Sequence, residues 1–382
     1  MNRKQFLILL VLVLVLGAAS WMVLRSKQDS WHGGGAAIGR KLLPDLAVND
    51  VAQISLKSGT GEVTLARDNH LWCVRDRAGY PANFSQLSGL LLKLADLKVS
   101  QNVDLGPSQM GRFELLPPGS GAESGTALEL KDASGKTLGS LLLGKKHLKK
   151  PAANAQMGGM DGEGWPDGRY VLTGARTVAL ISDALEDVQA KPDQWLSKDF
   201  FAIEKPRAIA VQFPVATNSW KLTRATETGD WQLADARAGE KLDSSKIASV
   251  TSPFSYGGFN DVAPLTASNA PGNTVLTVET FDGFTYAANI GAKAGEDYPV
   301  HFSLTATLPP ARTPGAEEKP ADKTRLDAEF AARQKTLADK LAKESAGTNW
   351  VYQLSAYSVD ELLKPRAQLL AEAATNSAAT AK

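Results

Sequence analysis

The chain has 382 residues and a formal net charge of +1. That balance speaks against nucleic acid as the main partner, because a phosphate-binding surface usually shows as a strong basic excess. A single cysteine, Cys73, excludes an intramolecular disulfide and fits a core-stabilised bacterial periplasmic domain better than a small disulfide-stapled module.

Behind Arg3 and Lys4 lies the most informative stretch, an apolar run of 19 residues. Between Phe6 and Leu24 no charged residue occurs. At about 1.5 Å per residue a helix of that length reaches about 28 Å, close to a hydrocarbon core of about 30 Å. The short positive n-region favours a cytoplasmic N-terminus, with everything after the run translocated. Residues 1–25 are therefore expected to be an N-terminal membrane anchor, leaving the bulk of the chain periplasmic on a single-pass inner-membrane protein. A cleavable signal peptide is the alternative, with Gly17-Ala18-Ala19 as its small-residue site. Against it, Trp21-Met22-Val23-Leu24 continues the apolar run past that point. No cysteine lies near the run, which excludes a lipid-modified N-terminus. Residues 26–41, with Gly33-Gly34-Gly35, read as a flexible tether.

The remainder predicts an α+β fold: two homologous domains of antiparallel sheet covered by helices, at 42–201 and 202–370. In the first, Ile54 and Leu56 begin a period-two alternation that resumes at Val63 and Leu65 and again around Trp72, a small meander. Asn83 is a helix N-cap, and Leu87, Leu90, Leu91 and Leu94 fall on one helical face that must pack on the sheet. A later hairpin uses Leu128 and Leu130, a turn at 132–135, then residues 137–143. Tyr170-Val171-Leu172 and residues 177–180 close the half, followed by a short helix at about 183–188.

The second half repeats the order. Ile209 and Val211 stand for the first strand, and residues 220–224 and 229–233 for the meander, with Trp231 in the place of Trp72. A helix capped by Asp243 presents Ile247, Val250 and Phe254. The hairpin of Leu276, Val278 and Gly283 matches Leu128, Leu130 and Gly135 at a constant offset of 148 residues. Trp350-Val351-Tyr352-Gln353-Leu354 mirrors Tyr170-Val171-Leu172, and a helix follows near 359–363. A period near 150 residues means domain duplication rather than a solenoid. Two insertions break the symmetry: a Gly-rich loop at 145–168, and a Pro-rich approach leading to a charged, Ala-rich helix at 322–344. On that helix Leu326/Phe330 and Leu337/Leu341 are i,i+4 pairs, and Glu329–Arg333 and Asp339–Lys343 are favourable surface pairs. Residues 371–382 form a small-residue tail, expected to fray.

The segment from Leu42 through Ile54, the Trp-bearing strand ahead of a Leu-rich helix, and Pro192-Asp193-Gln194-Trp195-Leu196-Ser197-Lys198-Asp199-Phe200-Phe201 form a series. With the N-terminal anchor, it resembles the bacterial family called domain of unknown function 4340. The likeness runs over most of the chain after residue 40, on strand ends, turns and a helix face. The resemblance implies an envelope protein that accompanies ABC-type transport systems of the gliding-motility kind as an auxiliary component. It assigns no catalytic residues.

Candidate chemistry is sparse. Gly139-Ser140-Leu141-Leu142-Leu143-Gly144-Lys145-Lys146 nearly spells a P-loop, but Lys146 stands where Ser or Thr should hold magnesium, and the interior is an apolar strand pattern. Asp161, Glu163 and Asp167 fail the calcium-loop spacing, since Trp165, Pro166 and Leu172 occupy essential places. His32, His70, His147 and His301 are scattered, giving neither a metal site nor a triad. Glu186/Asp187 and Glu317/Glu318 are adjacent carboxylates that point apart, and Cys73 reads as a buried thiol. Trp72 and Trp231 read as core residues. No cofactor, metal site or catalytic group is therefore expected. The basic run Lys145, Lys146, Lys149 and Lys150 is the candidate contact for an anionic surface. Leu326, Phe330, Leu337 and Leu341 are the candidate contact for a partner, with integral-membrane transporter subunits as the expected partners. A module that binds cell-wall or surface glycan through exposed aromatics is the alternative function, and exposure of Trp165 or Trp231 would favour it.

Overall fold

The computed structural model describes residues 38–149, 164–174, 176–254, 258–266, 272–315 and 318–371. The apolar N-terminal run, His32, Lys150, Asp161, Glu163, Glu317 and the C-terminal tail lie outside them. Among the described residues no helix is long and apolar enough to cross a membrane. The chain divides into two compact units, residues 1–76 with 81–195, and residues 77–80 with 196–382.

The first sheet, which lies in the first unit except for Tyr80, holds β1 (Gln53–Lys57), β2 (Glu62–Asp68), β3 (Leu71–Val74), β4 (Tyr80–Pro81), β5 (Val99–Val103), β6 (Thr126–Lys131), β7 (Thr137–Lys149), β8 (Trp165–Thr173) and β9 (Val178–Ile181). They order as β4-β3-β2-β1-β6-β7-β8-β9-β5, and every registered pair is antiparallel. Alternation decides the inward face: Ile54, Leu56, Val63, Leu65, Leu128 and Leu130 are all buried. Helix α1 (Phe84–Asp96) is capped by the Asn83 side chain, which accepts from the Gln86 N–H at 3.2 Å. Its four spaced leucines are all buried, as the 3.6-residue period requires. Gly89 sits inside this helix, and a Cβ there would meet nothing within 4 Å. Gly89→Ala should therefore stabilise the first unit by up to about 1 kcal/mol through helix propensity, read as a higher urea midpoint; a lower midpoint would contradict the open surroundings of this position.

The second unit holds β10 (Pro206–Gln212), β11 (Trp220–Thr223), β12 (Gln232–Leu233), β13 (Asp261–Pro264), β14 (Thr274–Thr280), β15 (Phe284–Ile290), β16 (Asp297–Ala306) and β17 (Trp350–Ser355). Its sheet orders as β12-β11-β10-β14-β15-β16-β17-β13. Strand for strand this is the path β3-β2-β1-β6-β7-β8-β9-β5 of the first unit. The hairpin turns also correspond. Gly135 and Gly283 both adopt left-handed φ, 86° and 87°, a conformation that costs glycine little. The Asp132 carboxylate and the Thr280 hydroxyl, 148 positions apart, each accept backbone N–H groups within their turns.

The structure corrects several expectations. Trp350–Ser355 takes the place of β9 in the shared path, not that of Tyr170-Val171-Leu172 in β8. The counterpart of β8 is β16, whose alternation starts only at Val300 because Pro299 and polar residues precede it. Residues 183–188 turn instead of forming a helix: the Asp183 carboxylate accepts from the Leu185 N–H at 2.7 Å, and Leu185 is left-handed at φ 47°. The helix capped by Asp243, α2 (Ser244–Ile247), is a single turn. Ile247, Val250 and Phe254 are nonetheless buried. Residues 196–201 belong to the second unit, where Phe201 stacks on Phe302 at 4.5 Å and Phe200 meets Tyr352 at 5.3 Å. Trp72 is buried as expected. Trp231 is only half-buried, its ring covered by the Arg224 guanidinium at 4.8 Å. Trp220 is the buried tryptophan of that meander, donating its indole N–H to the Lys364 carbonyl at 2.8 Å.

Candidate contact surfaces

The basic run does not lie in a loop. Lys145, Lys146, His147 and Lys149 belong to β7, which continues 13 residues from Thr137, against 7 in its counterpart β15. The extension pairs with the start of β8: Lys146 opposite Arg169, His147 opposite Gly168, Leu148 opposite Pro166, and Lys149 opposite Trp165. The result is a two-stranded arm, with a register shift between His147 and Leu148. Gly144, the last glycine of the near P-loop, lies inside β7, where a Cβ would collide with the Phe113 carbonyl and the Leu115 side chain. That is close packing, not a phosphate cradle.

Charges at the root of the arm are matched. Lys146 Nζ pairs with Glu186 at 2.9 Å, and His147 Nδ1 lies 2.6 Å from Asp167 Oδ1. Arg169 Nε donates to the Gly144 carbonyl at 2.7 Å; burial lowers the guanidinium's basicity while Glu114 pulls the other way. Toward the tip the picture changes. Leu148 is 41% exposed and Trp165 55% exposed, beside the exposed Lys149, while Lys145, also exposed, lies on the root side of Lys146. Trp165 shares a face with Lys149 opposite it, and Leu148, opposite Pro166, leaves the other face, so each face of the arm carries one exposed apolar side chain, a contact surface in composition.

The inserted helix, α3 (Pro320–Ser345), gives a different result. Leu326, Phe330, Leu337 and Leu341 are all half-buried, and the helix packs on β16 of its own unit. The same face continues to Glu344, which is buried and accepts the Tyr286 hydroxyl at 2.8 Å and the Ala202 N–H at 3.1 Å. Burial, with Glu344 beside it, pushes the Tyr286 hydroxyl well above the usual phenol range. Lys340 Nζ donates to the Ala202 carbonyl at 2.6 Å and lies 5.5 Å from the Phe284 ring centre. At the other end Arg312 bridges Glu318 and Asp327. The stripe is thus partly covered by its own unit. The expected pairs Glu329–Arg333 and Asp339–Lys343 are replaced by Arg325–Glu329 and Lys335–Asp339. Arg333 goes to Asp282 and Lys343 to Asp199, carboxylates from outside the helix that sequence spacing alone does not see.

A cavity of about 150 Å³ opens beside α1, lined by Gly89, Leu90, Leu185, Val188 and Trp195. The Lys93–Asp187 ion pair, 3.3 Å, stands at its rim. No two carboxylates meet in its lining, and Lys93 and Asp187 are its charged residues. Among the described residues no group of three His, Cys, Asp or Glu side chains could hold a metal ion. Cys73 is buried and donates to the Ala66 carbonyl at 3.3 Å, and burial raises its thiol above the usual range. His301 Nε2 lies 2.9 Å from the Thr348 carbonyl. Sequence reasoning missed Leu148, because a lone leucine inside a lysine run carries no periodic signal; its exposure on a paired strand becomes visible only once β7 is known to continue.

A family model, described as domain of unknown function (DUF4340), matches residues 72–274. No curated protein and no solved structure matches the chain.

Proposed function

The chain belongs to the DUF4340 family, and from that membership we propose that it works by contact rather than by chemistry. In this reading it is a non-enzymatic accessory or assembly component of an envelope complex, an ABC-type transport system in particular. Residues 6–24 anchor it in the inner membrane as a single span, and the two units lie on the periplasmic side. The shared strand path of the two sheets supports descent of both units from one duplicated domain.

The observation that carries the reading is the arm, which presents Trp165 and Leu148 to solvent beside Lys145 and Lys149. Exposed tryptophan is costly to leave in water and common where surfaces meet. The test is crosslinking in intact cells, with a photo-reactive residue at position 148 or 165 and, for comparison, at the outward positions 328 and 335 of α3. Repeated capture of an integral-membrane transport subunit from the arm is the expected result. If none of these positions captures such a subunit while the chain stays membrane-bound, the accessory role fails.

Exposure of Trp165 also favours a second reading, a module that stacks glycan on that ring with cations alongside. Under it, purified wall material would retain the protein and Trp165→Ala would release it. Equal retention of both forms would remove the glycan reading.

A further inference from the structure

The end of the first sheet that carries the arm is also the end at which the chain joins the unit. Lys41 bridges to Lys98, and the Gly39 N–H donates to the Val99 carbonyl at 2.8 Å. Val99 stands opposite Ile181, Ile181 opposite Arg169, and Arg169 opposite Lys146. One row thus crosses β5, β9, β8 and β7. Three strand spacings separate β5 from β7, about 14 Å, and the arm runs about 10 Å beyond the row to Lys149. Arg40 and Lys98 are exposed at this end together with Lys145 and Lys149. Among the described residues none of these four has a carboxylate within ion-pair distance, whereas Lys41 and Lys146 are paired with Asp96 and Glu186. Ile38, 60% exposed, adds a third apolar side chain to those of Leu148 and Trp165.

We propose that this end of the first unit docks on an anionic lipid surface, with Trp165 and Leu148 at headgroup level and Arg40, Lys98, Lys145 and Lys149 facing phosphates. The proposal rests on the reading of residues 6–24 as the membrane anchor. Residues 25–37 then tie this end, and no other, to within about 45 Å of the bilayer even when fully extended. Tryptophan favours the membrane interface, and lysine near an anionic leaflet gains affinity. A glycan partner would use the Trp165 ring but would require neither Leu148 and Ile38 nor their placement beside the tether.

The test uses the full chain reconstituted in vesicles of phosphatidylcholine alone or with phosphatidylglycerol. A nitroxide is attached at Leu148→Cys, and at Ser134→Cys in the turn at the opposite end of β7 as the water-exposed reference. In anionic vesicles the label at 148 should become accessible to oxygen and shielded from a water-soluble nickel chelate, while the label at 134 stays in water. Lys145→Gln with Lys149→Gln should lower the docked-to-free ratio about thirtyfold, the combined effect of two interfacial lysines. A label at 148 as wet as that at 134 in anionic vesicles overturns the proposal. Flotation with pure phosphatidylcholine vesicles reads the anchor separately. A chain that floats with a wet arm keeps the anchor and loses the docking. A chain that floats only with anionic vesicles, its arm label in lipid, keeps the docking and loses the anchor.

Discussion

Trp195→Ala should destabilise the first unit by about 3–5 kcal/mol, the usual cost of truncating a large aromatic in a core. Its side chain is fully buried, and the indole N–H donates to the Gln189 carbonyl at 2.8 Å. Truncation would leave that carbonyl without its partner as well as opening a void against Leu90 and Val188. Trp195→Phe keeps most of the volume and loses the hydrogen bond, so its cost should be nearer about 1 kcal/mol. Urea unfolding followed by circular dichroism checks both. A wild-type midpoint for the alanine variant would mean that the Pro192–Trp195 turn is not part of this core. The sequence motif containing Trp195 thereby gains a physical meaning: Trp195 fills the core of one unit, and Phe200 and Phe201, five and six residues on, fill that of the other.

Arg366→Met should cost about 2–4 kcal/mol, somewhat below the loss from breaking a fully enclosed ion pair because Asp235 stays largely in water. Arg366 is 3% exposed. Its Nη2 and Nε reach Glu240 at 2.7 and 3.2 Å, and its Nη1 reaches Asp235 at 2.9 Å. The guanidinium, helped by the Arg237 N–H, holds the Glu240 carboxyl down at about 2, below the ordinary range near 4.3. A carboxyl depressed on folding adds stability that is fully present above its unfolded value and is lost as pH falls through its folded one. Wild type should therefore lose stability between about pH 4.5 and 2 more steeply than Arg366→Met, whose Glu240 no longer has this partner. Parallel pH profiles for the two proteins would exclude the ion pair as the cause.

Much of the fold was legible because burial on one side of an antiparallel sheet writes alternation into the sequence. Ile54 and Leu56, Leu128 and Leu130, and Leu276 and Val278 show it plainly, and so do the leucines of α1. The constant offset between Gly135 and Gly283 was equally readable, since only the turn geometry demands glycine there. What escaped was set by tertiary competition. β16 hides behind Pro299 and its polar neighbours. The predicted helix at 183–188 yields to an Asp183 turn, and the stripe of α3 has its own unit to cover. Trp231 is only half-buried, and Trp220 of β11 is the buried tryptophan of the second meander. The arm illustrates the limit most clearly: its lysines were visible, but their placement on a strand beside Trp165 depends on pairing across residues far apart in the chain.

The proposal of an envelope component held at the membrane is tested most directly by the mass and location of the mature chain. Membranes from expressing cells would be washed with alkaline carbonate, and the intact protein weighed by mass spectrometry. The account predicts a chain retained in the membrane with residues 6–24 still present. A soluble chain beginning just after Ala19 would contradict it, removing the anchor and with it the reason to place the arm against a bilayer.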